Sequence, residues 1–225
     1  MSISNITNLL IKFNIKIPEN YMKEEIVRFA TEARTERIVE TPEVLRNIPS
    51  KNVKILDVGC RYSLLPIQLA SLGNEVYGID IYPYKRRHPN FHFTKLDILK
   101  AKFKRSFFDV VISLSTIEHI GLGFFGEKVD LDGDRKAIKK INFLLKRRGI
   151  LLLTAPFGKP FDSSWYRVYD KKRLLKLLDG FKIREMRIYK KSSNEVWIPV
   201  TLKEAETIDS SVFVSSAVFV KAIKK

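Results

Sequence analysis

Five short apolar runs between Val53 and Thr154 constrain the fold more than any other feature of this chain: "VKILDV" (53–58), "EVYGID" (75–80), "FHFTKL" (91–96), "FDVVISL" (108–114) and "ILLLT" (150–154). Each has strand length, and helical patterns fall among and after them. Leu65, Leu69 and Leu72 form one stripe closed by Gly73, with Pro66 tolerable in the first turn. A second helix is predicted from about Asp134 to Leu145, leading to Gly149. Strands alternating with helices pair in parallel, with helices on both faces of one sheet, so the expectation is an α/β three-layer sandwich. Its ligand belongs beyond the carboxyl ends of the strands.

The flanking segments extend this scheme. Asp170 reads as an N-cap and Gly180 as the stop of the helix "KKRLLKLLD". Two strand-like runs follow, "FKIREMRIY" (181–189) and "VFVSSAVFVKAI" (212–223). The stretch Lys190 to Ser211 is long for a plain loop and predicts a turn of helix or a strand extension near "TLKEAE". Upstream, Met22, Ile26, Phe29 and Ala33 make one helix stripe, and Pro42 and Pro49 punctuate the passage into the main domain. The predicted division is a helical extension over 1–50 and one domain over 51–225.

Bulk properties narrow the class. A chain of 225 residues with 45% hydrophobic and 29% charged content can bury one sizeable core. The lone Cys60 excludes an internal disulfide and a Cys-rich zinc site. No apolar run reaches the roughly 20 residues of a membrane span, and "MSISNITNLLIKF" lacks the basic start of a signal peptide, so a cytoplasmic location is expected. The net charge is +16, yet residues 19–46 carry seven Glu against five Lys or Arg, leaving +18 on the rest. In "DRKAIKKINFLLKRR" the apolar Ile138, Ile141 and Leu145 alternate with lysines at helical spacing, which reads first as a solvated basic face and second as a polyanion surface.

Three carboxylates stand at strand ends: Asp57, Asp80 and Asp97. Asp80 lies 21 residues beyond Gly59, close to the offset of about 20 at which an acid accepts hydrogen bonds from a ribose. An adenosine-type ligand fits that position. Asp57 discriminates further, because a carboxylate in the first turn repels a pyrophosphate but suits a sulfonium and an ammonium. The chain also lacks GxxxxGK[ST] and an intact GxGxxG, so phosphate-bearing cofactors are disfavoured.

In order, "ILDVGCRYS", "VYGIDI", "FTKLDIL", "FFDVVISLSTIEHIGLG" and "LLKRRGILLLTAPFG" resemble the successive motifs of class I S-adenosylmethionine-dependent methyltransferases, over about residues 51–225. The "STIEHIGLG" segment is similar to that of a prokaryotic group within them. The resemblance implies a seven-stranded, mainly parallel Rossmann-like sheet with an antiparallel last strand, and S-adenosyl-L-methionine as cofactor. Carried over by position, it implies Asp57, Gly59, Cys60 and Arg61 on the methionine side, Asp80 and Ile81 at the ribose, Asp97 and Ile98 at the adenine, and Ser113 and Ser115 at the end of the fourth strand. It also implies an N-terminal helix closing over the pocket, with Glu36 and Arg37 near its rim. The loop departs from DxGxGxG, reading Asp57, Gly59, Arg61, Ser63. Arg61 therefore either points away from the cofactor or reaches its carboxylate.

For chemistry, "STIEH" offers Ser115, Glu118 and His119, which share a face if the segment opens a helix. His119 is the candidate general base, with Glu118 beside it; the alternative is a tether or backbone partner. Ser115 replaces the first acid of the ExxEH segment of metal-dependent O-methyltransferases, so no metal is assigned. "DLDGD" (130–134) reads as an ordinary acidic loop, since its glycine offset is wrong for a calcium loop. "GLGFFGEKVDLDGD" suits a mobile substrate loop or a turn with Phe124 and Phe125 packed inward. Trp165, Tyr166, Arg167 and Tyr169 are substrate candidates, or rim packing. The functional expectation is methyl transfer to a small-molecule or sugar acceptor, most simply at oxygen. RNA methylation and a non-catalytic binding module are the alternatives.

Overall fold

The computed structural model describes residues 35–49, 51–192 and 196–225. The stripe Met22 to Ala33 lies outside them. Strands β1 (Lys54–Val58), β2 (Glu75–Asp80), β3 (Phe91–Lys95), β4 (Phe108–Leu114) and β5 (Leu145–Pro156) form the parallel part of one sheet, in the order β3-β2-β1-β4-β5. Beyond β5 the sheet continues through β10 (Ser216–Lys224), β8 (Phe181–Lys191) and β9 (Trp197–Val200). β10 is antiparallel to both β5 and β8, so β8 runs with the first five strands. A two-residue ribbon, β6 (Phe161–Asp162) with β7 (Arg167–Val168), stands apart.

The sheet has eight strands where seven were expected, because Trp197–Val200 adds an antiparallel edge to β8. Residues 190–211 therefore supply both a strand and a helical turn, α5 (Leu202–Ala205), which Thr201 and Glu204 close with a capping box. The last strand begins at Ser216 and not at Val212; Val212 and Phe213 are exposed ahead of it.

Two apolar layers sandwich the sheet. Leu56 and Val58 face one side with Ile138, Ile141 and Leu144 of α3 (Gly133–Leu144) and Leu174 and Leu177 of α4 (Lys171–Leu177). Ile55 faces the other with Leu65 and Leu69 of α2 (Leu65–Ser71) and Val44 of α1 (Arg37–Asn47). Each full burial of an Ile or Leu is worth about 2 kcal/mol, whereas like charges four apart on the outer face of a helix cost a few tenths. That difference explains why α3 tolerates a lysine-rich outer face. Leu72, assigned to the α2 stripe, is exposed, because the helix ends one residue before it and Gly73 turns the chain at φ +87°.

Pro42 does not punctuate the chain: it sits inside α1. A proline there removes one helical hydrogen bond, a cost of about 3 kcal/mol that tertiary ties offset. Buried Glu43 supplies them, its carboxylate taking the Tyr189 hydroxyl and the Arg187 guanidinium, and Glu40 accepts from Ser115 Oγ at 2.6 Å. The helix is thus fastened to the sheet at both β8 and the end of β4. No helix among the described residues is long and apolar enough to cross a membrane.

The cap of α4 offers a direct check. Asp170 Oδ1 accepts from the Arg173 amide at 2.6 Å. Asp170→Ala is expected to lower stability by about 1 kcal/mol, read as a reduced midpoint in urea unfolding with an unchanged slope.

Candidate functional site

The carboxyl ends of β1, β2, β3 and β4 open on one cavity of about 790 Å³, within the range of small-molecule sites. Gly59, Arg61, Asp80, Ile81, Asp97, Ile98, Ser115, His119 and Trp165 line it, together with Arg37. Gly59 is required by its surroundings: it takes φ +78°, and a Cβ there would collide with the Thr116 side chain. The loop after β1 is tied to the end of β2 through Asp80. Asp80 Oδ2 accepts from the Arg61 amide at 3.0 Å and Oδ1 from the Tyr82 amide at 2.9 Å. Each oxygen keeps a lone pair for a ligand donor. Asp97 Oδ1 accepts from the Leu99 amide at 2.9 Å, capping the short turn Ile98–Lys100.

Arg61 lays its guanidinium on Tyr62 and Tyr82, 4.4 and 4.1 Å from the ring centroids. It thereby becomes part of the cavity wall instead of its plug. Tyr82 carries the wall onward, since its hydroxyl donates to the Phe125 carbonyl at 3.2 Å.

Behind this wall lies a group of buried acids. Asp57 and Glu118 are each 1% exposed and Glu40 2%. Among the described residues, Asp57 Oδ2, Glu118 Oε2 and Glu40 Oε2 have no hydrogen-bond partner. Arg37 is a cation they share: its Nη1 is 3.4 Å from Glu40 Oε2 and donates to the Leu114 carbonyl at 3.0 Å. Burial pushes Asp57 up to about 7 and Glu118 well above the usual carboxylate range, with Arg37 opposing both shifts. Glu40 is raised to about 7 for the same reason. Asp57 and Glu118, expected in the pocket, therefore stand behind it. Glu36, expected near the rim with Arg37, is not part of the lining.

Three further expectations change. Cys60 is fully buried with Leu65 and Leu69, its Sγ directed at the Ile79 carbonyl, so its thiol cannot reach the cavity. Ser113 is buried within β4. "STIEH" does not open a helix on which Ser115, Glu118 and His119 share a face. Ser115 takes φ +41° ahead of a single 3-10 turn, Ile117–His119, which sends Glu118 inward and His119 to the cavity.

His119 Nδ1 lies 2.6 Å from the Trp165 carbonyl. A carbonyl only accepts, so Nδ1 carries the proton and Nε2 is left with its lone pair. Burial lowers the pKa of the ring, which favours the neutral form. Ser163 shapes the turn that presents this carbonyl, its Oγ accepting from the Trp165 and Tyr166 amides at 3.1 and 2.9 Å. The indole of Trp165 stacks on His119 at 5.8 Å, and Phe125 meets the imidazole edge-on at 5.6 Å. Phe125 faces the cavity, whereas Phe124 is exposed against Trp165.

Tyr166, Arg167 and Tyr169, expected as substrate candidates or rim packing, are buried and do not line the cavity. The Tyr166 hydroxyl donates to the Ser210 carbonyl at 2.6 Å and that of Tyr169 to Asp134 Oδ2 at 3.0 Å. Buried Arg167 donates to the carbonyls of Glu118, Ile120 and Leu131 at 3.3, 2.9 and 3.2 Å. It organises both ends of the loop that carries Phe125. Sequence reasoning missed Glu40, Tyr62, Tyr82 and Thr116; an aromatic two residues beyond a strand-end acid was the signal for Tyr82. Among the described residues, no three His, Cys, Asp or Glu converge at metal-holding distance.

The family described as "Caenorhabditis protein of unknown function, DUF268" matches residues 75–219, and the chain belongs to it. The ubiquinone biosynthesis O-methyltransferase of Pelagibacter ubique (strain HTCC1062) is 30% identical over 140 residues, 58% of this chain and 52% of that protein. The chain thus spans about half the length of this curated relative. Among solved structures, the Burkholderia thailandensis 1,6-didemethyltoxoflavin-N1-methyltransferase, with bound 1,6-didemethyltoxoflavin and S-adenosylhomocysteine, matches at TM-score 0.58 and 14% identity, covering 93% of this chain and 92% of that one. The cyclase SpnF matches at TM-score 0.58 and 15% identity, covering 82% and 80%. The mainly parallel sheet with antiparallel last strands is the one these structures share, and their different chemistries mean that the fold alone does not name a reaction.

The role of Arg167 is open to measurement. Arg167→Met leaves three buried carbonyls without their donor and removes the charge 3.9 Å from Asp134 Oδ2, and is expected to cost roughly 3 kcal/mol of stability in urea unfolding. A side chain serving only to hold substrate would leave stability unchanged.

Proposed function

We propose that this member of the DUF268 family is an S-adenosylmethionine-dependent methyltransferase that acts on a hydroxyl of a small molecule. The observation that carries the reading is the set of carboxylates around the cavity: Asp80 on its wall with lone pairs to spare, and Asp57 buried behind the Gly59 turn with an unpaired Oδ2. A phosphate would meet repulsion there, whereas an adenosine ligand with a cationic end is matched. The relative named an O-methyltransferase and the neighbour solved with S-adenosylhomocysteine support the same assignment.

The cofactor supplies an activated methyl group for in-line transfer. Arg37 is the charge-assisted partner for its carboxylate, and Asp80 accepts from the ribose hydroxyls. Ile81, Ile98 and Leu99 flank the adenine with apolar surface, beside Asp97. Arg61, held on Tyr62 and Tyr82, leaves room for all of this, which supports an enzyme over a closed binding module. On the acceptor side, Trp165, Phe125, Ile120 and Val129 enclose a flat, largely apolar body. His119 Nε2 takes the proton from the acceptor hydroxyl, with Nδ1–H fixed on the Trp165 carbonyl. Glu118 Oε1 lies 3.8 Å from Nε2, on the buried side of the ring.

Calorimetry tests the cofactor directly. Micromolar binding of S-adenosylmethionine is expected, weakened at least about tenfold by Asp80→Ala, which deletes the ribose acceptor; absence of binding at millimolar ligand would remove the reading. With a methyl acceptor in hand, His119→Ala should reduce turnover roughly 10²-fold or more. Because burial holds the imidazole below the ordinary histidine value of about 6.5, wild-type turnover should persist to lower pH than that before it falls. That acidic limb should vanish in the variant, and an unchanged profile would clear His119 of the role.

A further inference from the structure

Three acids behind one cavity wall call for an explanation: among the described residues Asp57 Oδ2 and Glu118 Oε2 have no partner, at about 1–3 kcal/mol each, and Glu40 Oε2 has the Arg37 guanidinium at 3.4 Å and no hydrogen bond. They are not remnants of a capping scheme. Glu40 comes from α1, Asp57 from β1 and Glu118 from the turn after β4. Arg37 is the shared cation and is itself part of the cavity lining. Glu40 is linked to the lining a second time, because its Oε1 accepts from Ser115 Oγ, and Ser115 faces the cavity in a strained left-handed conformation.

The charged and titratable groups facing this cluster come from every element around it. They are Glu36 and Arg37 on α1, Cys60 after β1, Asp80 at the end of β2, His119 on the same turn as Glu118, and Arg167 and Tyr169 at β7, on the Glu118 side. Ser115 and Thr154 are the hydroxyl partners of Glu40. With all carboxylates ionised, Glu40, Asp57, Glu118 and Asp80 stand, among the described residues, against Arg37, while Arg167 beside Glu118 is engaged with three backbone carbonyls. The free site is therefore short of positive charge around Glu40, Asp57 and Glu118, none more than 2% exposed.

We infer that Glu40, with Asp57 and Glu118, is a charge-reading element that makes the site prefer the cationic cofactor over its neutral product. The inference rests on the cofactor assignment proposed above. S-adenosylmethionine carries a sulfonium, an ammonium and a carboxylate, net +1; loss of the methyl group turns the sulfonium into a thioether and leaves a net charge of zero. The two ligands differ little in shape, so a buried charge is the means of telling them apart. Glu40 is a specificity-determining residue that acts through Arg37 and Ser115.

The sign of the pH effect follows. Burial raises Glu40 and Asp57 to about 7, so near neutrality the free protein holds protons there. A cationic ligand favours the ionised carboxylates and expels protons, so its affinity weakens as pH falls through that range. The neutral product expels fewer and is nearly indifferent.

Titration calorimetry of the full chain with S-adenosylmethionine and with S-adenosylhomocysteine, in two buffers of different ionisation enthalpy, reads this without any turnover. Wild type should release more protons on binding the first ligand than the second. Glu40→Gln, which keeps the side-chain shape, should lower the affinity ratio of the two roughly tenfold while leaving the product's own affinity nearly unchanged. Equal proton release by wild type for both ligands would overturn the inference whether or not the variant folds, and so would a folded variant with an unchanged ratio. Failure of wild type to bind either ligand would instead overturn the cofactor assignment, and the inference with it.

Discussion

The cavity exists because β1 lies between β2 and β4 in unbroken parallel register. Asp57 is level with Gly78 on one side and Ile112 on the other, so the three chains leave the sheet together. The ladder continues one step past the strand, where the Gly59 amide donates to the Ile79 carbonyl at 2.9 Å. This brings Gly59 against Thr116 and sets Arg61 where Asp80 catches its amide. A side chain at 78 would strike Phe91 and Cys60, so close packing of the first two strands depends on that glycine as well.

Much of the scaffold was legible in local pattern. "EVYGID" and "FDVVISL" are the strands β2 and β4 to the residue, and Asp170 is the cap its position suggested. Such runs are bounded by turn chemistry and carry a continuous apolar pattern, so sequence and structure see the same edges. The strand-end carboxylates were legible for the same reason. Pro42 was misread because a proline signal is local, whereas the bonds that keep α1 helical across it come from Tyr189 and Ser115, 146 and 75 residues away from Glu43 and Glu40. Arg167 and Tyr169 were misread because an exposed recognition residue and a buried one with a distant partner have the same letters. Glu40 was invisible: in a stretch rich in glutamate nothing local separates a solvated acid from one that is 2% exposed.

The electrostatics run opposite to the bulk charge. A chain with formal charge +16 places three buried acids near Arg37 beside its cavity. Surface lysines are screened over about 8 Å at physiological salt, while buried charges are screened much less, so the interior weighs more than the coat on anything bound in the cavity. Net charge here describes the coat of the protein and says little about its pocket. Some positive surface charge is paired locally, as Lys136 is with Asp130 at 2.5 Å.

The hydrogen bond that orients His119 ends on a backbone carbonyl, at Trp165. Any residue at 165 brings the same oxygen, so the tautomer of the imidazole is insulated from substitution at that position. What the position can vary is the ring stacked over the histidine, and with it the shape of the cavity there. Under the proposed function, orientation of the base and choice of acceptor are thereby separable in this chain. The turn made by Ser163, not the indole, is the part that would have to persist.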